Sequence, residues 1–212
     1  MVPAPLLVFL DANVLFSRTL RDWISLSAIA SGCLAYDLRC SEDVLAEWMY
    51  RMRRKRPELS EQAVGGQRRR FVEAFPHGLV TGYSPEAVPC PPDPDDRHVL
   101  AAAVHGQVDV LVTNDGRGTG AFPAHCLPDG LEVWTADELL NWVADGSMEL
   151  VRRVLGIQLA YYRRTIVAAD RDEAGMIAHL RKAGASRFAS RLEKAVDQEG
   201  DGGIGAPPPP PP

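Results

Sequence analysis

Two short, mainly apolar runs, each leading to an acid, constrain this chain more than any other feature. Leu6-Leu7-Val8-Phe9-Leu10 runs into Asp11, and Val108 to Thr113, apolar apart from Asp109, runs into Asn114-Asp115. A strand that is apolar at every position must be covered on both faces, the condition of a parallel sheet between layers of helix. The intervening sequence supplies those layers. Leu20, Trp23, Ile24 and Leu26 have helical spacing between Ser17 and Ile29, with Gly32 as a stop. A short strand is expected at Tyr36 to Arg39. Ser41, followed by Glu42 and Asp43, reads as the N-cap of a helix running to about Arg54 and closed by Pro57. A second basic helix is expected from Ser60 to just before Pro76.

Five prolines between Tyr83 and Asp95 make that stretch extended or turning. A helix then follows from about Asp96 to His105. The glycine-rich segment Gly116 to Gly120 reads as a flexible loop, Leu131 to Trp134 as a last strand, and Thr135-Ala136-Asp137-Glu138 as a capping box. Strand and helix alternating in this way predict an α/β/α fold of three layers around a central parallel sheet. Strand signals stop after Asp145. One long amphipathic helix marked by Val151, Val154, Leu155, Leu159 and Tyr162, and two shorter ones near 173–183 and 186–196, predict a small C-terminal helical appendage. The expected organisation is therefore 1–142 for the α/β unit, 145–196 for the helical extension and 197–212 for a disordered tail. That tail is rich in Gly and ends in Pro207 to Pro212, a composition that cannot bury a core.

At 212 residues with 46% hydrophobic and 24% charged residues, the chain needs no disulfide or zinc staple. Its cysteines, Cys33, Cys40, Cys90 and Cys126, form no CxxC pair and are read as reduced thiols in a cytoplasmic protein. Leu6 to Leu10 is too short for a secretory leader, and nothing approaches a membrane span. The formal charge is −5, yet 20 of the 23 basic residues are Arg, and eight basic residues crowd between Arg51 and Arg70. The guanidinium fork holds a phosphate with two hydrogen bonds, so this strip suits a phosphate-bearing partner. A solvated helix face is the plainer reading.

In an open parallel sheet, ligands bind beyond the carboxyl ends of the strands where strand order reverses. Asp11 and Asp115 follow strands, Asp96 opens a helix near the same edge, and Glu47 lies on the rim of the apolar stripe formed by Val44, Leu45, Trp48 and Met52. Each acid also has an ordinary role open to it. Asp11 could belong to a capping turn, Asp96 could favour a helix N-terminus, Asp115 could occupy a turn, and Glu47 could pair with Arg51. Together they form a set of hard oxygen ligands suited to Mg2+ or Mn2+, and hence to phosphodiester hydrolysis. Asp93 and Asp95 are near enough to join them.

Phe9-Leu10-Asp11-Ala12-Asn13-Val14-Leu15-Phe16 resembles the opening motif of PIN-domain nucleases. Ser41 to Trp48 resembles their second motif, Pro94 to Ala103 their third, and Val112-Thr113-Asn114-Asp115 stands where the fourth belongs. Within that group the chain is similar to VapC-type toxins of toxin-antitoxin pairs that carry a helical C-terminal extension. The resemblance implies a magnesium-dependent endoribonuclease with a protein antitoxin and a homodimer formed through the PIN domain. It assigns Asp11, Glu47, Asp96 and Asp115 as catalytic metal ligands, with Asn13 and Thr113 supporting them. It also recasts Arg51, Arg54, Arg68 and Arg69 as RNA contacts. Relatives often carry Asp-Phe-Pro after the fourth strand, where this chain has Ala121-Phe122-Pro123. Asp115 is expected to supply the missing acid.

Other classes fit less well. A haloacid-dehalogenase-like phosphatase or a receiver domain needs a downstream lysine, and no lysine lies between Lys55 and Lys182. The first strand is followed by Asp-Ala-Asn-Val and not by a dinucleotide-binding glycine motif. There is no Gly-x-Ser-x-Gly elbow, and none of the five histidines is placed by motif beside a nucleophile. A catalytically idle PIN domain that binds RNA or protein is the alternative from a different class, and Ala121 is the feature in its favour.

Overall fold

The computed structural model describes residues 4–115, 120–165 and 172–200. Its centre is a five-stranded, wholly parallel sheet in the order β3-β2-β1-β4-β5. β1 (Leu6–Leu10) lies in the middle, with Val8, Phe9 and Leu10 fully buried, as its unbroken apolar sequence requires. β2 (Tyr36–Ser41) pairs with it on one side and β4 (Val110–Val112) on the other. β5 (Glu132–Trp134) and β3 (Leu79–Val80) form the edges. The chain winds from β1 outward through β2 to β3, then crosses back to β4 and β5. The reversal of strand order therefore falls between β1 and β4.

Side-chain caps start most of the helices where the sequence places them. Ser17 accepts from Leu20 N ahead of α2 (Arg18–Ala30), Ser41 from Val44 N ahead of α3 (Glu42–Lys55), and Ser60 from Ala63 N ahead of α4 (Glu61–Ala74). The capping box of Thr135 and Glu138 opens α6 (Ala136–Gly146). α5 (Arg97–His105) is preceded by a 3-10 turn over Pro94–Asp96, so the expected start at Asp96 shifts by one residue.

Two elements were not legible in advance. A five-residue helix, α1 (Ala12–Phe16), directly follows Asp11. β3 has only two residues, too few to show a pattern, and exists because Cys40 and Ser41 of β2 pair with Leu79 and Val80. Gly78 is what permits the approach, since a Cβ there would lie 2.6 Å from the Leu38 carbonyl. The expected strand Val108 to Thr113 narrows to Val110–Val112, although Asp109 N still donates to Leu7 O of β1 at 2.9 Å and Thr113 N to Trp134 O of β5 at 3.0 Å.

Beyond α6 the chain forms α7 (Met148–Thr165), α8 (Glu173–Lys182) and α9 (Ser186–Gly200). These helices share one hydrophobic cluster with the sheet layers. Phe188 of α9 sits edge-on to Trp23 of α2 at 5.2 Å between ring centroids. The buried Asp137 carboxylate at the start of α6 accepts from Phe188 N at 2.9 Å and from Arg187 Nε at 2.8 Å. α9 also runs to Gly200, so residues 197–200 are helical where a disordered tail was expected to begin. The expected flexible loop at 116–119 and the tail from 201 onward lie outside the described residues.

Candidate active site

The point where strand order reverses is built by β1 and β4. Register pairs Leu10 with Val112, and Asp11 N donates to Val112 O at 3.1 Å, so the residues ending the two strands emerge side by side. Asp11 is 4% exposed. It occupies the N-cap position of α1, yet its side chain makes no capping bond. Its Oδ2 instead accepts from Thr113 Oγ1 at 2.7 Å and from Asn13 Nδ2 at 2.5 Å. The same Asn13 amide donates to Asp115 Oδ2 at 2.9 Å and stands 2.8 Å from Thr113 Oγ1, so it ties the acids at the two strand ends to each other. The other end of that side chain, Oδ1, accepts from Asn114 N at 3.0 Å. Asn114 Oδ1 in turn accepts from Ala136 N, fixing the start of α6 to the same corner.

Glu47 and Asp96 complete the group from the helices that follow β2 and the proline-rich segment. Glu47 is part-exposed on α3 and bonds Arg51 one turn later at 2.5 Å, so the pairing available to it in the sequence is made. Asp96 stands at the N-cap of α5 with no side-chain capping bond, as Asp11 does at α1. Burial first, then the charges of Asp11, Asp93, Asp115 and Glu47, push its carboxyl up to about 6. Burial likewise raises Asp11, with Glu47 and Asp115 adding to the shift and the Thr113 hydrogen bond opposing it. The structure thus brings the four acids into one electrostatic group. Asp93 adds its charge to that group while its side chain caps Asp95 N. Ala121 is partly buried beside the core and Phe122 is fully buried, so that tripeptide packs the fold.

Oxygen donors of this kind, close enough to raise one another, fit a hard divalent cation. Arg51 balances one of the four charges. Among the described residues, no three His, Cys, Asp or Glu side chains are gathered tightly enough to grip one ion. Mutual repulsion among the carboxylates works against a tighter set.

The basic strip divides. Arg51 is held by Glu47 and Arg68 by Glu42, while Arg53 forms a two-pronged contact with Glu61. Arg54 and Arg69 are exposed on α3 and α4. Sequence reasoning missed three residues around the site. Arg97 donates to the carbonyls of Val88 and Glu86 and so pins the proline-rich segment. Arg21 lies over the Trp48 ring at 5.1 Å and donates to Leu15 O at the end of α1. His98 lies beside Glu47. Arg97 and His98 both fall within the third motif, the one signal the sequence offered for them.

A family model described as PIN domain matches residues 7–117. The chain belongs to the PIN-domain family. The matched span contains Asp11, Glu47, Asp96 and Asp115 together with all the residues that fix them, and stops short of the C-terminal helices. The chain matches no curated protein and no solved structure. PIN domains are generally nucleases of the hydrolase class, and the α/β fold with its parallel sheet is consistent with that family. Among the described residues of this PIN domain, no helix is long and apolar enough to cross a membrane.

Proposed function

We propose that this PIN domain is a metal-dependent endoribonuclease and the toxin of a toxin-antitoxin pair. The observation that carries the reading is the constellation at the reversal of strand order: a buried Asp11 whose oxygen is fixed by Thr113 and Asn13, with Asp115, Glu47 and Asp96 around it. Neither Asp11 nor Asp96 is used as a helix cap, and retaining ionisable groups in such mutual repulsion is costly unless a cation serves them. Asp11, Glu47, Asp96 and Asp115 are the residues that would hold Mg2+, with Mn2+ able to replace it. Bound there, the ion would supply Lewis-acid polarisation of a phosphodiester and activation of a water.

The chain's own residues set the geometry. Asn13 bridges Asp11 and Asp115, so the acids at the two strand ends keep a fixed spacing, and Thr113 orients the buried carboxylate. Arg54 and Arg69, exposed on neighbouring helices, offer phosphate contacts along an RNA backbone. Arg51 and Arg68 would join them once released from Glu47 and Glu42. The nuclease unit is 1–142, with 145–196 as a helical extension, and the working form is a cytoplasmic homodimer restrained by an antitoxin.

The test uses the purified protein and its Asp11→Asn variant with total cellular RNA, in magnesium and then in EDTA. Cleavage that needs magnesium and vanishes in the variant is the expected result. Binding of RNA by both folded proteins without cleavage would give the idle-binder reading the lead. For the toxin role, induced expression of the active chain should arrest growth and that of Asp11→Asn should not.

A further inference from the structure

His98 lies in the first turn of α5, two residues after Asp96. Its Nδ1 is 2.7 Å from the Asp95 carbonyl oxygen, and a carbonyl only accepts, so Nδ1 carries the proton. In the neutral ring the opposite nitrogen, Nε2, then presents a lone pair. Nε2 is shielded from solvent and has no hydrogen-bond partner. The nearest charged atom recorded beside it is Oε2 of Glu47, 3.9 Å away. That separation is too long for a hydrogen bond. It leaves Nε2 without a partner and facing a carboxylate oxygen. Arg51 occupies the other oxygen of Glu47, so Oε2 stays available on the His98 side.

Orphaned buried polar atoms are rare and call for a partner. An imidazole whose far N–H is fixed on a backbone carbonyl has the arrangement typical of a metal-ligating histidine, since that bond sets the tautomer and aims the ring. We propose that His98 Nε2 is a nitrogen ligand of the acidic site, binding the cation alongside Glu47. The proposal rests on the metal-dependent reading of the site. A mixed nitrogen and oxygen donor set favours Mn2+ over Mg2+, because magnesium demands oxygen and gives up its waters reluctantly.

Mn2+ itself is the probe. The full chain, stripped of divalent ions, is titrated with Mn2+ and examined by electron spin echo envelope modulation, which detects a nitrogen bonded to the ion. His98→Asn keeps a donor for the Asp95 carbonyl and deletes Nε2. His98→Gln serves as a second variant if Asn disturbs the helix, and circular dichroism checks both folds. The expected result is a nitrogen modulation in the wild type that disappears in His98→Asn, with Mn2+ affinity falling about tenfold and the preference for Mn2+ over Mg2+ reduced. Labelling the histidines with 15N should change the modulation accordingly. Mn2+ binding without nitrogen modulation, or modulation that survives both variants, overturns the role of His98 and leaves the acidic site standing. If Mn2+ fails to bind the wild type, or binds Asp11→Asn equally well, the metal reading of the acids falls and this inference with it.

Discussion

Replacing Asp11 by Asn should make the metal-free protein more stable while removing its activity. The two side chains have the same shape, so Thr113 Oγ1 can still donate to the oxygen that replaces Oδ2. What disappears is a buried negative charge and its repulsion with Glu47, Asp115 and Asp96. Asp96 gives the scale. Its move from 3.8 to about 6 corresponds to about 3 kcal/mol against the ionised form if taken whole. Asp96 is partly solvated, and screening reduces that to about 1 kcal/mol. Burial is the largest cause and Asp11 the leading charge, so removing Asp11 returns about 0.5 kcal/mol at Asp96. Relief of the burial cost of Asp11 itself contributes about 1 kcal/mol. Weaker, uncharged hydrogen bonds to Thr113 and Asn13 take back about 0.5 kcal/mol. The net is about 1 kcal/mol, or a rise in Tm of about 2–4 °C for a chain of this size. Thermal unfolding in EDTA at pH 7 measures it. Added magnesium should raise the Tm of the wild type and leave the variant unchanged. A Tm that falls by more than about 2 °C in the variant, or an equal magnesium response in both proteins, would refute the claim that Asp11 is held in place for a cation.

Three further outcomes follow from the same structure. The raised pKa of Asp96 means that the native protein binds more protons than the unfolded chain between about 4 and about 6. Stability of the metal-free protein should therefore decline by about 1 kcal/mol, after solvent screening, as pH rises through that window, and denaturant titrations at pH 5 and 7 should show a shallower slope in Asp96→Asn, with Asp11 supplying what is left. Arg54→Ala with Arg69→Ala should weaken RNA binding and lower the slope of log affinity against log salt by about 2; an unchanged slope in a filter-binding series would return both residues to a solvated helix face. Phe188→Ala should cost about 3–5 kcal/mol, because the ring is 1% exposed and packed on Trp23. Urea unfolding should keep a single transition, and loss of helix in a separate early step would show that the C-terminal helices unfold independently of the sheet.

Much of the local architecture was legible because its causes are local. Ser17, Ser41, Ser60 and Thr135 cap helices through their own side chains, and the unbroken apolar run of β1 marks a strand covered on both faces. α1 and β3 were illegible for the opposite reason. Five and two residues are too few for a period to show, and β3 depends on its pairing with β2. The extent of α9 was underestimated because composition changes at Gln198, while the helix carries on to Gly200 from a buried face that includes Leu192 and Ala195.

The acids are the clearest division between what sequence and structure each decide. The residue pattern alone puts Asp11 and Asp115 after apolar strands, Glu47 on the rim of an apolar stripe and Asp96 at the opening of a helix. It leaves each with an ordinary alternative, since capping, pairing and turn formation are available to any carboxylate at such a position. In the tertiary structure Asp11 and Asp96 stand at helix termini without a side-chain capping bond, while Glu47 makes its pair with Arg51. The fold also brought Asn13 to Thr113, a hundred residues away, and turned His98 towards Glu47. Those relations follow from strand order and helix docking, and the distances through which the charges act are set only when the sheet closes between β1 and β4.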